Sequence, residues 1–131
     1  MKTNELRIGN FVKDNIFIYK VASVDFHSIY GEIDNVFNYK DAAVEDTYKS
    51  GYYNLQIENI EPVLLTEEWL LKFDWFSIDE GRYTFRDIEY YTISNEGSLY
   101  FMGNYTCTDI KYVHQLQNLY FAMTDNELTI K

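Results

Sequence analysis

One cysteine, one proline and six glycines in 131 residues leave this chain few of the usual fixed points. Cys107 stands alone, so an internal disulfide is excluded, and with it the cross-linked scaffold of a small secreted domain. Two widely separated histidines, His27 and His114, do not make the spaced Cys/His pattern that zinc requires. The acidic stretch "DNVFNYKDAAVED" lacks the glycine and terminal glutamate of a calcium loop. None of the glycines falls in a phosphate-cradling arrangement, so no nucleotide loop of that kind is encoded. Long hydrophobic runs are missing as well. The opening "MKTNELRIGN" has no apolar core of the signal-peptide kind, and no segment approaches the roughly 18 apolar residues of a membrane span. The expectation is a cytoplasmic domain, with no cofactor and no metal.

Bases are scarce too: 11 Lys and Arg stand against 21 Asp and Glu, a net charge of −10. The imbalance is local, because residues 32–89 hold fourteen acids and five bases. Such a field repels phosphate backbones and attracts cationic surfaces, so direct nucleic-acid binding is disfavoured. It equally serves plain solubility.

What the chain has in abundance is aromatic surface, with 13 Tyr and 9 Phe in an apolar share of 47%. That composition buries a core and is foreign to disordered chains. Residues 1–131 read as one α+β domain, with a β-rich subregion at 1–65 and a helix-hairpin-helix subregion at 66–131. In the first, "IFIYKVASVDF", "SIYGEI" and "YYNLQIENIEPVLLT" are short β-branched and aromatic runs. Ala22, Val24 and Phe26 form one apolar face, and Tyr53, Leu55, Ile57 and Ile60 another. Residues 34–51 between them read as a long loop, with room for one helical turn. Four or five such strands fit a small SH3-like antiparallel β-barrel or meander.

Pro62 ends that unit. Thr66 then N-caps a short helix, with Glu67 and Glu68 at the positive end of its dipole and Trp69, Leu70 and Phe73 on one face. "RYTFRDIEYYTIS" and "SLYFMGNY" read as a β-hairpin turning at Asn95-Glu96-Gly97, with room for an earlier strand before Glu80-Gly81. Tyr83, Phe85, Ile88, Tyr90 and Thr92 lie on its faces, and a bulge near Arg86 absorbs a phase shift. A C-terminal amphipathic helix of about fourteen residues follows, capped by Thr108 or Asp109. Its stripe is Ile110, Val113, Leu116, Leu119, Tyr120 and Met123.

Catalytic candidates are few. His114 sits on the polar side of that helix, either as an acid–base group or as a partly exposed histidine bonded to a neighbour. Cys107, just before the helix, is a nucleophile only if a base approaches it, and otherwise an inert strand-end thiol. Acids such as Asp87 and Glu89 are ordinary solvated charges until a cleft gathers them. No catalytic residue is assigned, and the chain is not expected to be an enzyme.

Recognition is the remaining class. Tyr30, Tyr39, Tyr48, Tyr52 and Tyr53 are interleaved with Glu32, Asp34, Asp41, Glu45 and Asp46. Tyrosine supplies contact area at low entropic cost, and carboxylates steer and pair a basic partner. These ten residues form the expected partner-binding flank; the bland reading packs the tyrosines at home.

Three motifs, "ELRIGNFV", "PVLLTEEWLLKF" and "IKYVHQLQNLYFAMT", resemble a small uncharacterised protein family of Bacteroidetes genomes and their prophages. The resemblance covers about 35 residues and brings no catalytic residues with it. It implies a phage setting, in which small acidic proteins inhibit host defence, for example by occupying the basic channel of a CRISPR nuclease or similar ribonucleoprotein. The leading expectation is therefore a non-catalytic acidic inhibitor of a basic nucleic-acid-handling protein. Two alternatives stand beside it. One is a binder that sequesters a signalling nucleotide, using Arg82, Arg86 and Lys111; the other is an enzyme using His114 with a carboxylate.

Overall fold

The computed structural model describes residues 5–24, 28–33, 52–92, 97–107 and 109–130. The long loop expected at 34–51, His27, the tip Asn95-Glu96 and the candidate cap Thr108 lie outside them. The chain is mixed α and β and divides into two compact units, Met1–Val63 and Leu64–Lys131.

The first unit is an antiparallel sheet of β1 (Phe11–Lys13), β2 (Ile18–Val24), β3 (Ser28–Ile33), β4 (Tyr52–Gln56) and β5 (Glu61–Pro62), in the order β4-β3-β2-β1-β5. A 3-10 turn, Ile57–Asn59, joins β4 to β5. Pro62 pairs with Val12 on the outermost strand, where its missing N–H costs least. Leu6, Val12, Phe17, Tyr19, Val21, Ile29, Leu55 and Ile60 form the core. Leu55, Ile60 and the half-buried Ile57 face it as their alternation requires. In β2 the buried residues are Tyr19 and Val21, of opposite parity to the expected Ala22 and Val24, while Phe26 lies outside the described residues. A register shift between Val21 and Ser23 reverses the phase within the strand, so Val24, paired with Ile29, packs against the same core as Val21. The five strands form an open sheet, with no closed barrel among the described residues.

The second unit opens with α1 (Glu67–Lys72), where Thr66 Oγ1 accepts a hydrogen bond from Trp69 N at 3.4 Å. Asp74 closes it in the left-handed region (φ 72°), with Trp75 N donating to Leu70 O at 2.9 Å. The expected hairpin is part of a five-stranded meander in strand order: β6 (Phe76–Asp79), which is the earlier strand before Glu80-Gly81, β7 (Arg82–Phe85), β8 (Ile88–Tyr91), β9 (Ser98–Phe101) and β10 (Asn104–Cys107). The phase shift at Arg86 is a chain reversal, not a bulge: Phe85 pairs with Ile88, and Arg86 takes φ 54° between them. Met102 and Gly103, both at positive φ, turn β9 into β10 in the same way. Tyr83, Ile88, Tyr90 and Leu99 are buried on the inner face.

Helix α2 (Val113–Thr124) starts later than Thr108 or Asp109 would start it. Leu65 N bonds to Lys111 O at 2.9 Å and Leu64 bridges Tyr112, which holds that segment extended. Gln115 then caps the helix, its Oε1 accepting from Lys111 N and Tyr112 N. The buried stripe is Val113, His114, Leu116, Gln117 and Tyr120, rotated from the expected one, while Leu119 and Met123 are only half-buried. No helix among the described residues is long and apolar enough to cross a membrane.

Tyr90 ties the inner face to the approach of α2, its hydroxyl donating to Ile110 O at 2.6 Å. Burial first, and the charge of Tyr83 second, push its pKa from 10.0 up to about 12. The folded state therefore favours the neutral phenol: this stabilisation is complete below about pH 10 and is lost as pH rises towards 12. Tyr90→Phe is expected to cost about 1–2 kcal/mol at neutral pH, because a buried carbonyl loses its donor. It should also flatten the alkaline decline in melting temperature. An unchanged alkaline slope would assign that decline to other groups.

Candidate functional site: the outer face of the second sheet

Cross-strand partners share a face, and the register of the second sheet lines up one row across all five strands. Tyr105 pairs with Tyr100, Tyr100 with Glu89, Glu89 with Thr84, and Thr84 with Phe76. The next row runs from Ser98 through Tyr91 and Arg82 to Asp79. These positions alternate with the buried Tyr83, Ile88, Tyr90 and Leu99, so they form the outer face. Tyr105 and Phe76, at its two edges, are 59% and 63% exposed. Tyr100, Tyr91, Glu89, Thr84 and Arg82 are half-buried by one another.

The rings interlock. Tyr91 meets Tyr100 edge-on at 5.0 Å, and Tyr100 meets Tyr105 edge-on at 5.7 Å. Each such pair contributes about 0.5–1.5 kcal/mol beyond simple area burial. At the other end the Arg82 guanidinium lies 5.2 Å from the Tyr91 ring centre, and its Nη2 donates to the Tyr91 hydroxyl at 3.4 Å. That hydroxyl in turn donates to Glu89 Oε2 in a short hydrogen bond. Asp79 stands 3.9 Å from Arg82. The Arg82 pKa is raised, chiefly by the hydrogen bond to Tyr91 and by that phenol's charge, with Glu89 and Asp79 adding to it. The result is a preset polar-aromatic surface whose side chains have already given up their rotamer freedom, which lowers the entropic cost of docking on it.

Of the partner-binding residues expected from sequence, Tyr30, Glu32, Tyr52 and Tyr53 are described. Asp34, Tyr39, Asp41, Glu45, Asp46 and Tyr48 lie outside the described residues. Tyr30 and Glu32 share the outer face of the first sheet, both exposed, with Lys20 paired to Glu32 and Ser23 to Tyr30. The Tyr52 backbone pairs with Glu32. Tyr53 pairs with Gly31 and so belongs to the opposite face, where it meets Tyr19 edge-on at 6.2 Å. Gly31 is required there: a Cβ would stand 2.9 Å from both Leu55 Cδ1 and Tyr19 Cβ.

His114 is not on the polar side of its helix. It is 3% exposed in the first turn of α2 and stacks on Tyr112, with ring centres 6.0 Å apart and planes 13° from parallel. Cys107 pairs through its backbone with Leu99 at the end of β10. Arg82, Arg86 and Lys111 do not converge: Arg82 belongs to the outer face, Lys111 leads into α2, and Arg86 lines a separate hollow. Among the described residues no three His, Cys, Asp or Glu side chains are grouped to hold a metal ion.

The outer-face ladder was missed by sequence reasoning, although a signal for it existed. Once Tyr83, Ile88 and Tyr90 are assigned inward, the complementary parity of "RYTFRDIEYY" leaves Arg82, Thr84, Glu89 and Tyr91 outward. No protein-family model, no curated protein and no solved structure matches the chain.

Proposed function

We propose that the chain is a non-catalytic acidic interaction protein that docks on a cationic protein. The observation that carries this reading is the outer-face ladder of the second sheet, three interlocked tyrosines bordered by carboxylates on a five-stranded surface. Electrostatics point the same way. Between residues 52 and 92 nine carboxylates stand against three bases, and most of those carboxylates are exposed. Carboxylates around aromatic anchors steer a basic partner and pair with its Arg and Lys side chains, while repelling phosphate.

The flank at residues 30–53 belongs to the same proposal, and of its described residues Tyr30 and Glu32 share one exposed face. Taken with the prophage-like motifs, the partner class is a basic nucleic-acid-handling host protein in the bacterial cytoplasm, a CRISPR nuclease or comparable ribonucleoprotein being the case in view. We also infer that the first sheet curls as an SH3-like antiparallel meander, open between β4 and β5. Its support is β1 flanked by both β2 and β5 and the 3-10 turn between β4 and β5.

Charge reversal tests the flank. Asp41→Lys, Glu45→Lys and Asp46→Lys together should weaken capture of the partner from host lysate at low salt by at least about tenfold, with the melting temperature little changed. Capture at full strength after the reversal would remove the flank from the interface.

A further inference from the structure

A hollow of about 470 Å³ opens in the second unit, within the size range of ligand pockets. Its walls come from the corner after α1, the start of β6, the β7–β8 turn, the last turns of α2 and the C-terminal segment that follows. Four aromatic residues line it, Phe73, Phe76, Phe85 and Tyr120; Phe85 lies 5.8 Å from Tyr120 and is stacked from behind by Trp75, also at 5.8 Å. Two carboxylates, Asp74 and Glu127, line it together with one cation, Arg86. The guanidinium of Arg86 lies 5.2 Å from the centre of the Phe85 ring, so a ring of this hollow already seats a guanidinium. Phe76, in contrast, exposes 63% of its surface.

We propose that this hollow is a socket for an arginine side chain of the partner. The inference rests on the reading of the chain as an acidic docking protein, and it names the group that the partner inserts. Aromatic faces attract a cation through their quadrupole, and a guanidinium is the cation that also stacks flat on a ring. Carboxylates outnumber bases in the lining two to one, which opposes an anionic occupant such as a nucleotide phosphate. The guanidinium approaches over the exposed Phe76 ring, its planar fork directed to Asp74 and Glu127, while Arg86 holds the Phe85 side. Arg86 is therefore a like-charged neighbour of the incoming group and not its anchor.

The test uses the full chain and a defined probe, N-acetyl-arginine methylamide, followed by NMR shifts of the Phe76, Phe85 and Tyr120 rings. Its uncharged analogue N-acetyl-citrulline methylamide and inorganic phosphate serve as comparisons. Saturable shifts confined to the hollow are expected with the arginine probe and not with the other two. Asp74→Asn with Glu127→Gln should weaken that binding by about tenfold, since two ionic partners are lost. Asparagine tolerates the left-handed backbone at position 74, so the variant keeps the fold. Arg86→Ala should tighten arginine binding by removing a like charge. Equal binding of citrulline, preference for phosphate, loss of arginine binding in Arg86→Ala, or no shifts at all would each overturn the socket. The docking proposal is tested separately, because partner capture through the tyrosine ladder does not require the hollow.

Discussion

Replacing Gly97 by alanine is expected to cost about 3 kcal/mol or more, enough to lower the melting temperature by roughly 10 °C. Gly97 has φ +60°, and a Cβ built on it would lie 2.2 Å from Ile110 O and 2.7 Å from the Tyr90 hydroxyl. Neither neighbour can retreat cheaply. Ile110 O is backbone and accepts the Tyr90 hydrogen bond, and Ile110 N donates to Gly97 O at 3.1 Å. This junction fixes the entry of β9 against the segment that leads into α2. The natural control is Gly103→Ala, at φ +82° with no heavy atom within 4 Å of the added carbon. There only the backbone conformation is penalised, by about 1–2 kcal/mol. Thermal unfolding of the two variants should separate them clearly; equal losses would mean that the close approach at Gly97 relaxes without cost.

The second large effect is on binding. Changing Tyr91 and Tyr100 together to alanine should weaken partner capture by about 100-fold, since central aromatic anchors typically account for 2 kcal/mol or more each, with non-additivity between neighbours. Both side chains stand on the outer face, with Leu99 and Tyr90 buried behind them, so the inner core is preserved. The fold loses two edge-on ring pairs and the Tyr91 links to Arg82 and Glu89, a cost of roughly 1–3 kcal/mol. Circular dichroism should therefore report an intact sheet at 25 °C while capture disappears. Retention of the partner by this folded variant would exclude the ladder from the interface.

How much of this was legible beforehand depends on which signal each element uses. Helix α1 was legible because its cap, its acidic first turn and its apolar face agree in one short window. The tail of the first unit was equally clear, with Leu55 and Ile60 placed by alternation and Pro62 by its missing donor. Two reversals were opaque. Arg86 at φ 54° turns β7 into β8 without a glycine or asparagine to mark it, so the phase change resembled a bulge. Within β2, a register shift switched the buried parity where the composition on either side is similar.

The helix α2 was visible as amphipathic, but its stripe was assigned by hydropathy, and hydropathy places His114 and Gln117 outside. Both are buried, at 3% and 1% exposure, on the same face as Val113, Leu116 and Tyr120. The ladder raised a different difficulty. Tyrosine suits either side of a sheet, so Tyr90 buried and Tyr91 outward cannot be told apart by residue type. Which tyrosines meet across strands depends on register, a property of strand pairing that a single sequence encodes only through its turns. The acidic excess was plain from composition, whereas the placing of Glu89 and Asp79 in the rows of the ladder came only with the fold.

Capture from host lysate, run over a series of salt concentrations with the wild-type chain and the Tyr91→Ala, Tyr100→Ala chain side by side, tests the central claim most directly. A basic protein held by the wild type at low salt, released as the screening length shortens from about 10 Å towards 3 Å, and absent from the variant at every salt concentration is the predicted result. A partner that is acidic, that stays bound through high salt, or that the variant retains equally well would contradict it.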